Sequence, residues 1–347
     1  HFLGVVITYA ENEPASLVSR VEIQPEVTKA PVQVGLTLGV LGAGNYASAT
    51  FLPAVKKASG VSLAGIASAA GLSARNAAQR YGFSYATSDE QEILTDDKIN
   101  LMAVLTRHNQ HARQIVLGLQ HGKAIFCEKP LALTRNELEE VQRAATVEKA
   151  PLLMVGYNRR FAPFSQKIAA FFANRSEPMV LHYRVNAGFL PDTHWLHNPT
   201  VGGGRILGEG CHFIDYLISL VGSVPQSVYT AALPNAGRYH GDNVVMNFTF
   251  IDGSIGTVTY LANGDKSVPK EYLEVFCQGR VAILDDYRSL ELVQDGRRQS
   301  FKSQLRQDKG HLAGWQAFLS AVRTGITPPV PYDQLFGGAR AVFAAGE

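Results

Sequence analysis

The stretch "GVLGAGNYASATFLPAV", residues 39–55, sets an apolar run against two glycines, an asparagine and then a helix-like segment. Within it, Gly42-Ala43-Gly44-Asn45-Tyr46-Ala47 matches G-x-G-x-x-A. In that pattern the first glycine permits a tight turn, the second lets backbone approach a pyrophosphate, and the small third position lets the helix pack on the sheet. Amides at the helix start then face the phosphates. An ordinary glycine-rich turn would have the same composition, so its context decides between the two readings.

That context is a repeating strand and helix pattern. Strands "VGLTLGVLG", "VSLAGIAS", "INLMAVLT", "KAIFCEK" and "PLLMVGYN" alternate with helices through "NYASATFLPAVKKAS", "GLSARNAAQRYG", "HARQIVLGLQHG" and "RNELEEVQRAATVEKA". Such alternation implies right-handed crossovers and a parallel sheet over residues 34–156. From residue 157 to 347 the character changes. Long strand candidates ("PMVLHYRVNAG", "NVVMNFTFIDGSIGTVTYLAN", "YLEVFCQGRVAILDD", "SLELVQDGRRQSF") with Gly or Asp turns predict an antiparallel sheet. Helices flank it at "FSQKIAAFFANR", "CHFIDYLISLVG", "HLAGWQAFLSAVRTG" and "QLFGGARAVFAAGE", the last placed to pack back on the first domain. Residues 1–33 read as a strand, "FLGVVITYA", and a proline-punctuated linker.

Composition bounds the function. The 347 residues exceed the roughly 250 at which single cores stop growing, which predicts two domains. A formal charge of +2 without long like-charge runs argues against nucleic-acid partners. No apolar stretch reaches the roughly 18 to 20 residues of a membrane span, and "HFLGVVITY" lacks the basic flank of a signal peptide. Cys127, Cys211 and Cys277 are odd in number and far apart, so a disulfide framework is not expected and a reducing, cytoplasmic setting fits.

The segments "FCEKPLALT" (residues 126–134), "VGYNRRFAPF" and "GGGRILGEGCHFID", in that order after the G-x-G-x-x-A loop, resemble the Gfo/Idh/MocA family of glucose-fructose oxidoreductase, inositol dehydrogenase and rhizopine-catabolism proteins. The resemblance covers about residues 34–345. It implies an α/β Rossmann domain followed by an α+β domain with an open, mostly antiparallel sheet. It implies an NAD- or NADP-dependent dehydrogenase acting on a CH-OH group of a sugar, sugar derivative or cyclitol, assembled as a homodimer or homotetramer. A non-catalytic NAD(P)-binding regulator of the same fold is the alternative. "FLGVVITYAENEP" is similar to the last strand and exit of a medium-chain alcohol dehydrogenase domain, which implies a fusion with such a domain upstream.

Cofactor contacts are expected from Gly42, Gly44, Asn45 and Tyr46 in the loop, and from Ser68 at the end of the second strand. An acidic residue at that strand end would accept from the ribose of NAD. Ser68 carries no charge to repel a 2′-phosphate and has no adjacent base to grip one, so NAD and NADP stay open. Thr106, Arg107, His108 and His111 in "TRHNQH" should line the nicotinamide side; Arg107 and His108 replace the proline and asparagine of many relatives. Arg107 reads as a fork for an acidic group or as a solvent-facing arginine.

Glu128 and Lys129 of the E-K-P segment sit at the carboxyl edge of the sheet, where cofactors and substrates bind. A lysine there can donate to a substrate oxygen; the plainer reading pairs it with Glu128. The resemblance implies that Lys129 binds substrate and transfers a proton, with His212 as its partner. Asp215, three residues on, could orient the imidazole. The family aspartate four residues before the histidine is absent: Gly208 stands there, and Glu209 comes one place later, rotated by about 100° on an ideal helix. Glu209 is therefore a candidate substitute. Tyr157, Asn158, Arg159 and Trp195 are the expected substrate contacts, with a structural salt bridge the other reading of the arginine. His194, His197, Glu209, Cys211 and His212 match no common zinc spacing, so no metal site is expected.

Overall fold

The computed structural model describes residues 19–23, 35–303 and 306–347. The strand expected over "FLGVVITYA", and linker residues 11–18 and 24–33, lie outside the described residues. Inside the expected linker, Arg20–Glu22 forms a strand, β1. Its Arg20 guanidinium lies 3.6 Å from the Tyr85 ring centre, a cation–π contact that polar composition alone does not announce.

The first sheet adds β2 (Leu36–Leu41), β3 (Val61–Ala67), β4 (Tyr85–Thr87), β5 (Leu101–Val104), β6 (Ala124–Cys127) and β7 (Leu153–Val155). Its order is β1-β4-β3-β2-β5-β6-β7, with β2 to β7 parallel and β1 antiparallel on β4. Leu38, Val40, Leu101, Met102, Val104 and Ile125 are wholly buried because helices cover both faces, as unbroken apolar strands require. Those helices are α1 (Leu52–Lys57), α2 (Leu72–Tyr81), α3 (Gln91–Leu94), α4 (His108–Gln120) and α5 (Arg135–Thr146). The predicted helix begins at Asn45 and widens at once into a π turn over Ala47–Phe51, the Leu52 amide donating to the Ala47 carbonyl. Pro53 lacks the N–H that an α-helical ladder would use there. Thr134 and Glu137 close a capping box that starts α5 immediately after the E-K-P segment.

After α6 (Pro163–Phe172) and β8 (Val180–Asn186), α7 (Cys211–Val221) precedes β9 (Pro225–Ala232), β10 (Asn243–Phe250), β11 (Ile255–Leu261), β12 (Glu271–Cys277), β13 (Arg280–Asp285), β14 (Ser289–Gln294) and β15 (Arg297–Lys302). The order β15-β14-β13-β12-β8-β11-β10-β9 is antiparallel throughout except for β8 beside β11. This sheet is therefore mixed rather than purely antiparallel, because β8 is inserted between strands reached only after a long excursion through α7. α8 (His311–Thr324) and α9 (Tyr332–Gly346) return toward the first domain. Trp315 of α8 packs its ring 5.0 Å from Phe51 and 5.5 Å from Phe126, fixing the second domain against the face that follows the glycine loop. Arg135 of α5 bonds Glu347 beyond the end of α9.

Candidate functional site

The carboxyl edge of the parallel sheet gathers the loop after β2, Ser68 after β3, Thr106 to His108 after β5, Glu128 and Lys129 after β6, and Asn158 after β7. Gly42 has φ +102°, and a Cβ there would lie 2.5 Å from the Leu105 carbonyl oxygen. Only glycine fits. At Gly44 an added Cβ would meet nothing within 4 Å, so the loop backbone faces open space that a phosphate can approach. The loop's residues therefore fit a dinucleotide. Tyr46 packs its ring 6.2 Å from His311 and its hydroxyl against Glu128. Burial raises the Glu128 carboxyl to about 7, against the pull of Lys129 and Tyr46.

Beside the loop lies a cleft of about 280 Å³. From the first domain come His108 and Lys129; from the 158–161 turn, Asn158 and Arg159; from the second domain, Trp195, Gly208, Glu209, His212, Lys270, Lys309 and His311. Lys129 Nζ donates to the Gly208 carbonyl oxygen at 2.7 Å, so its side chain reaches across the domain junction instead of turning to Glu128. His108 Nδ1 lies 2.8 Å from the Gly202 carbonyl oxygen. Burial, then the Lys129 charge, lowers its pKa to about 3. The His108 ring sits edge-on to Trp195 at 4.7 Å, and Arg107 covers the same tryptophan, its guanidinium 4.1 Å from the Trp195 centre.

Two departures from the family pattern meet here. A Cβ on Gly208 would come 2.5 Å from Leu196 Cδ1 and 3.0 Å from His108 Cε1, so the histidine occupies space that a side chain at position 208 would need. Glu209 lies on a π turn, Ile206–Gly210, that widens the helix just before α7, so the ideal-helix angle between positions 208, 209 and 212 does not hold. Its carboxylate is held by Lys270, Tyr260 and Arg205. Burial would raise that carboxyl, but Lys270 and the other donors bring it to about 2. Glu209 is thus an ionised member of the cleft wall, paired with Lys270 and not with His212.

His212 lines the cleft, but Asp215 does not orient it. Asp215 accepts from Arg160 at 2.6 and 3.1 Å, and His212 Nδ1 has no hydrogen-bond partner among the described residues. The guanidinium fork outcompetes an imidazole that burial, Arg159 and Lys129 keep neutral. Arg159 takes the structural reading: it forms a bidentate pair with Glu271 at 2.8 Å on both arms. Tyr157 is buried, its ring 6.2 Å from His212, and lies behind the cleft wall. Asn158 faces the cleft while donating to the Lys309 carbonyl.

Three expected cofactor contacts are engaged by the protein itself. His111 is fully buried without reaching the cleft, its Nδ1 2.8 Å from the Pro130 carbonyl and its Nε2 3.2 Å from the Thr106 carbonyl; as a neutral ring it donates to one of the two, and the shorter contact marks the Pro130 carbonyl as the acceptor. The Thr106 hydroxyl donates to Gln114 at 2.6 Å. The Ser68 hydroxyl lies 2.7 Å from that of Ser73, so the end of β3 presents a hydroxyl pair and no carboxylate. Sequence reasoning missed Lys270, Lys309 and His311. For the last two a signal existed: Gly310, at φ +85°, sits between them immediately before α8, where a Cβ would strike the Asn158 carbonyl at 2.4 Å.

A parallel nucleotide-type sheet whose carboxyl edge opens onto a cleft shared with a mixed sheet defines the class of two-domain, Rossmann-based oxidoreductases. Residues 36–157 match the oxidoreductase family with an NAD-binding Rossmann fold, and residues 177–337 match its C-terminal alpha/beta domain. The chain belongs to this family, Gfo/Idh/MocA. It is 26% identical over 222 residues to levoglucosan dehydrogenase of Pseudarthrobacter phenanthrenivorans, covering 55% of this chain and 56% of that one. To myo-inositol 2-dehydrogenase of Thermotoga maritima it is 24% identical over 276 residues, 74% of this chain and 79% of the relative. The first curated relatives are matched over about half their length, 54% and 56% for two of them. Among solved structures, a levoglucosan dehydrogenase complexed with NADH and levoglucosan superposes with TM-score 0.77 at 21% identity, over 89% of this chain and 96% of that one. An oxidoreductase domain protein from Kribbella flavida gives TM-score 0.80 at 19% identity, over 90% and 96%. No helix among the described residues is long and apolar enough to cross a membrane.

Proposed function

We propose that the chain is an NAD(P)-dependent dehydrogenase acting on a hydroxyl-bearing carbon of a sugar, sugar derivative or cyclitol. The observation that supports this reading is that Lys129, after β6, lies on the same carboxyl edge of the parallel sheet as the Gly42–Gly44 turn after β2 and lines one cleft with His108 and His212. When bound, the nicotinamide supplies the hydride acceptor or donor. The protein's task is to bind the dinucleotide phosphates on the loop amides, to orient the polyol and to handle its proton. Lys129 Nζ, held by one carbonyl, keeps two further donors for the substrate oxygen. Lys309 and Lys270, anchored on Glu271 and Glu209, offer fixed donors to other hydroxyls. The levoglucosan and inositol activities of the named relatives support this substrate class. Ser68 admits NAD and NADP alike.

The test is Lys129→Met. Turnover of a panel of sugars and cyclitols should fall by roughly 10²–10⁴-fold, the usual range for loss of a proton-transfer group. NADH affinity, read by fluorescence titration, should stay within about twofold, since the phosphates bind elsewhere. Unchanged turnover removes Lys129 from the reaction. A non-catalytic NAD(P)-binding sensor is the second reading, and one observation favours it: no carboxylate bonds the Lys129 ammonium among the described residues, because Glu209 is engaged by Lys270 and position 208 is glycine. Tight NADH binding by the wild type without turnover of any sugar or cyclitol would select the sensor. For assembly, the face of the second sheet on which Val180, Ile255 and Phe276 are exposed neighbours is the surface for a second copy, checked by light scattering.

A further inference from the structure

We propose that His108 Nε2 is a fixed hydrogen-bond acceptor for a hydroxyl of the substrate, which makes this subsite selective for a neutral polyol over an acidic sugar. The inference rests on the dehydrogenase reading above. A backbone carbonyl can only accept, so the 2.8 Å contact from His108 Nδ1 to Gly202 places the proton on Nδ1. In a neutral ring Nε2 is then a lone pair. No described group bonds it, and the ring, itself buried, is part of the lining of the cleft. Trp195 stacks edge-on against the ring and Gly208 supplies the room it occupies, so its orientation is determined from three sides.

The charges around the ring keep it an acceptor. Lys129, His111 and Arg107 are the titratable groups that face it; the lysine and arginine are cations and the buried histidine is neutral. Protonating His108 would add a third positive charge to a desolvated corner. The acceptor therefore persists through the working pH range. A hydroxyl bridging Lys129 Nζ and His108 Nε2 would accept from the first and donate to the second, which an alcohol does and a carboxylate does not. Arg107, the feature that suggests an acidic ligand, is instead stacked on Trp195.

The experiment uses the full chain with histidine labelled at both ring nitrogens, together with calorimetry of myo-inositol, levoglucosan and D-glucuronate in saturating NADH. Expected are a His108 ring with unprotonated Nε2 that does not titrate between pH 5.5 and 8, and a shift of that nitrogen when a neutral sugar binds. His108→Phe, which keeps the aromatic contact with Trp195, should weaken the neutral sugar on the order of 10-fold, while His108→Gln, whose amide oxygen can accept, should retain more of the affinity. A ring that titrates near 6.5, D-glucuronate bound in preference to the neutral sugars, or unchanged sugar affinity in His108→Phe overturns the assignment alone. A wild-type chain that binds no NADH refutes the dehydrogenase reading and takes this assignment with it.

Discussion

Glu271 is the anchor on which two cleft residues depend, and Glu271→Gln should expose that dependence. Its carboxylate, 1% exposed, accepts from Arg159 at 2.8 Å on both arms, from Lys309 at 2.7 Å and from the Tyr183 hydroxyl at 2.5 Å. Burial alone would raise its pKa, yet Arg159 and Lys309 hold it well below the ordinary 4.5. The amide keeps the shape but removes the charge and turns an N–H₂ toward donors. The buried Arg159 is then uncompensated, and Lys309 keeps only Asp286 at 3.4 Å. Removing one partner of a buried pair typically costs about 3–5 kcal/mol, a large part of the roughly 5–15 kcal/mol by which domains are stable. Urea unfolding followed by fluorescence, with Trp315 wholly buried beside the domain junction, should show the midpoint falling by about 1 M or more. A loss below about 1 kcal/mol would refute the reasoning. Arg159→Met with Glu271→Leu should lose less than Glu271→Gln alone, since no charge is then stranded. Because the folded carboxyl is depressed, its contribution is complete above pH 4.5 and is lost as pH falls below that value.

Gly42→Ala should destabilise the fold as well as abolish NADH binding, since its Cβ meets backbone at 2.5 Å, whereas Gly44→Ala should keep its melting temperature and lose only NADH affinity. Equal NADH affinity in Gly44→Ala and wild type would refute the phosphate cradle. His108 and His111 are held neutral with pKa values lowered to about 3 and about 4. Unfolding lets each take up a proton below the ordinary 6.5, so stability should fall as pH drops from 6.5 toward 4, at about 1.4 kcal/mol per pH unit for each histidine once the unfolded chain is fully protonated. Chemical denaturation at pH 7, 6 and 5 checks the slope; a flat profile contradicts the burial argument. Gly208→Ala should cost about 1–3 kcal/mol through overpacking against Leu196 and His108, and less of it in a His108→Ala background.

The parallel sheet was legible because its strands are unbroken apolar runs between amphipathic helices, a pattern set by local periodicity. So were the loop glycines and the edge position of Lys129, which follow from strand ends. The short strands β1 and β4 and the short helix α3 were not, having too few residues for a period to emerge; nor was the eight-residue edge strand β9, which buries no residue fully and so carries no apolar alternation. The candidate site was legible only where one segment supplies it. Asp215 shares a helix with His212, and spacing made them a pair; the arginine that claims Asp215 lies 55 positions earlier. Arg159 likewise gives no sign in sequence of Glu271, 112 positions on, whose carboxylate fixes its guanidinium at the cleft. Helix phase misplaced Glu209 for a different reason: a π turn changes the angle between neighbours, and no residue type in "ILGEG" encodes that widening as Pro53 does for the first helix. His108 and Gly208 show the general case. Each departs from the family pattern, and in sequence they look like two unrelated losses, of an asparagine and of an aspartate. In space the ring of one fills the volume that the other leaves free, so the two replacements form a single packing solution that exchanges a carboxylate on the second domain for an imidazole on the first.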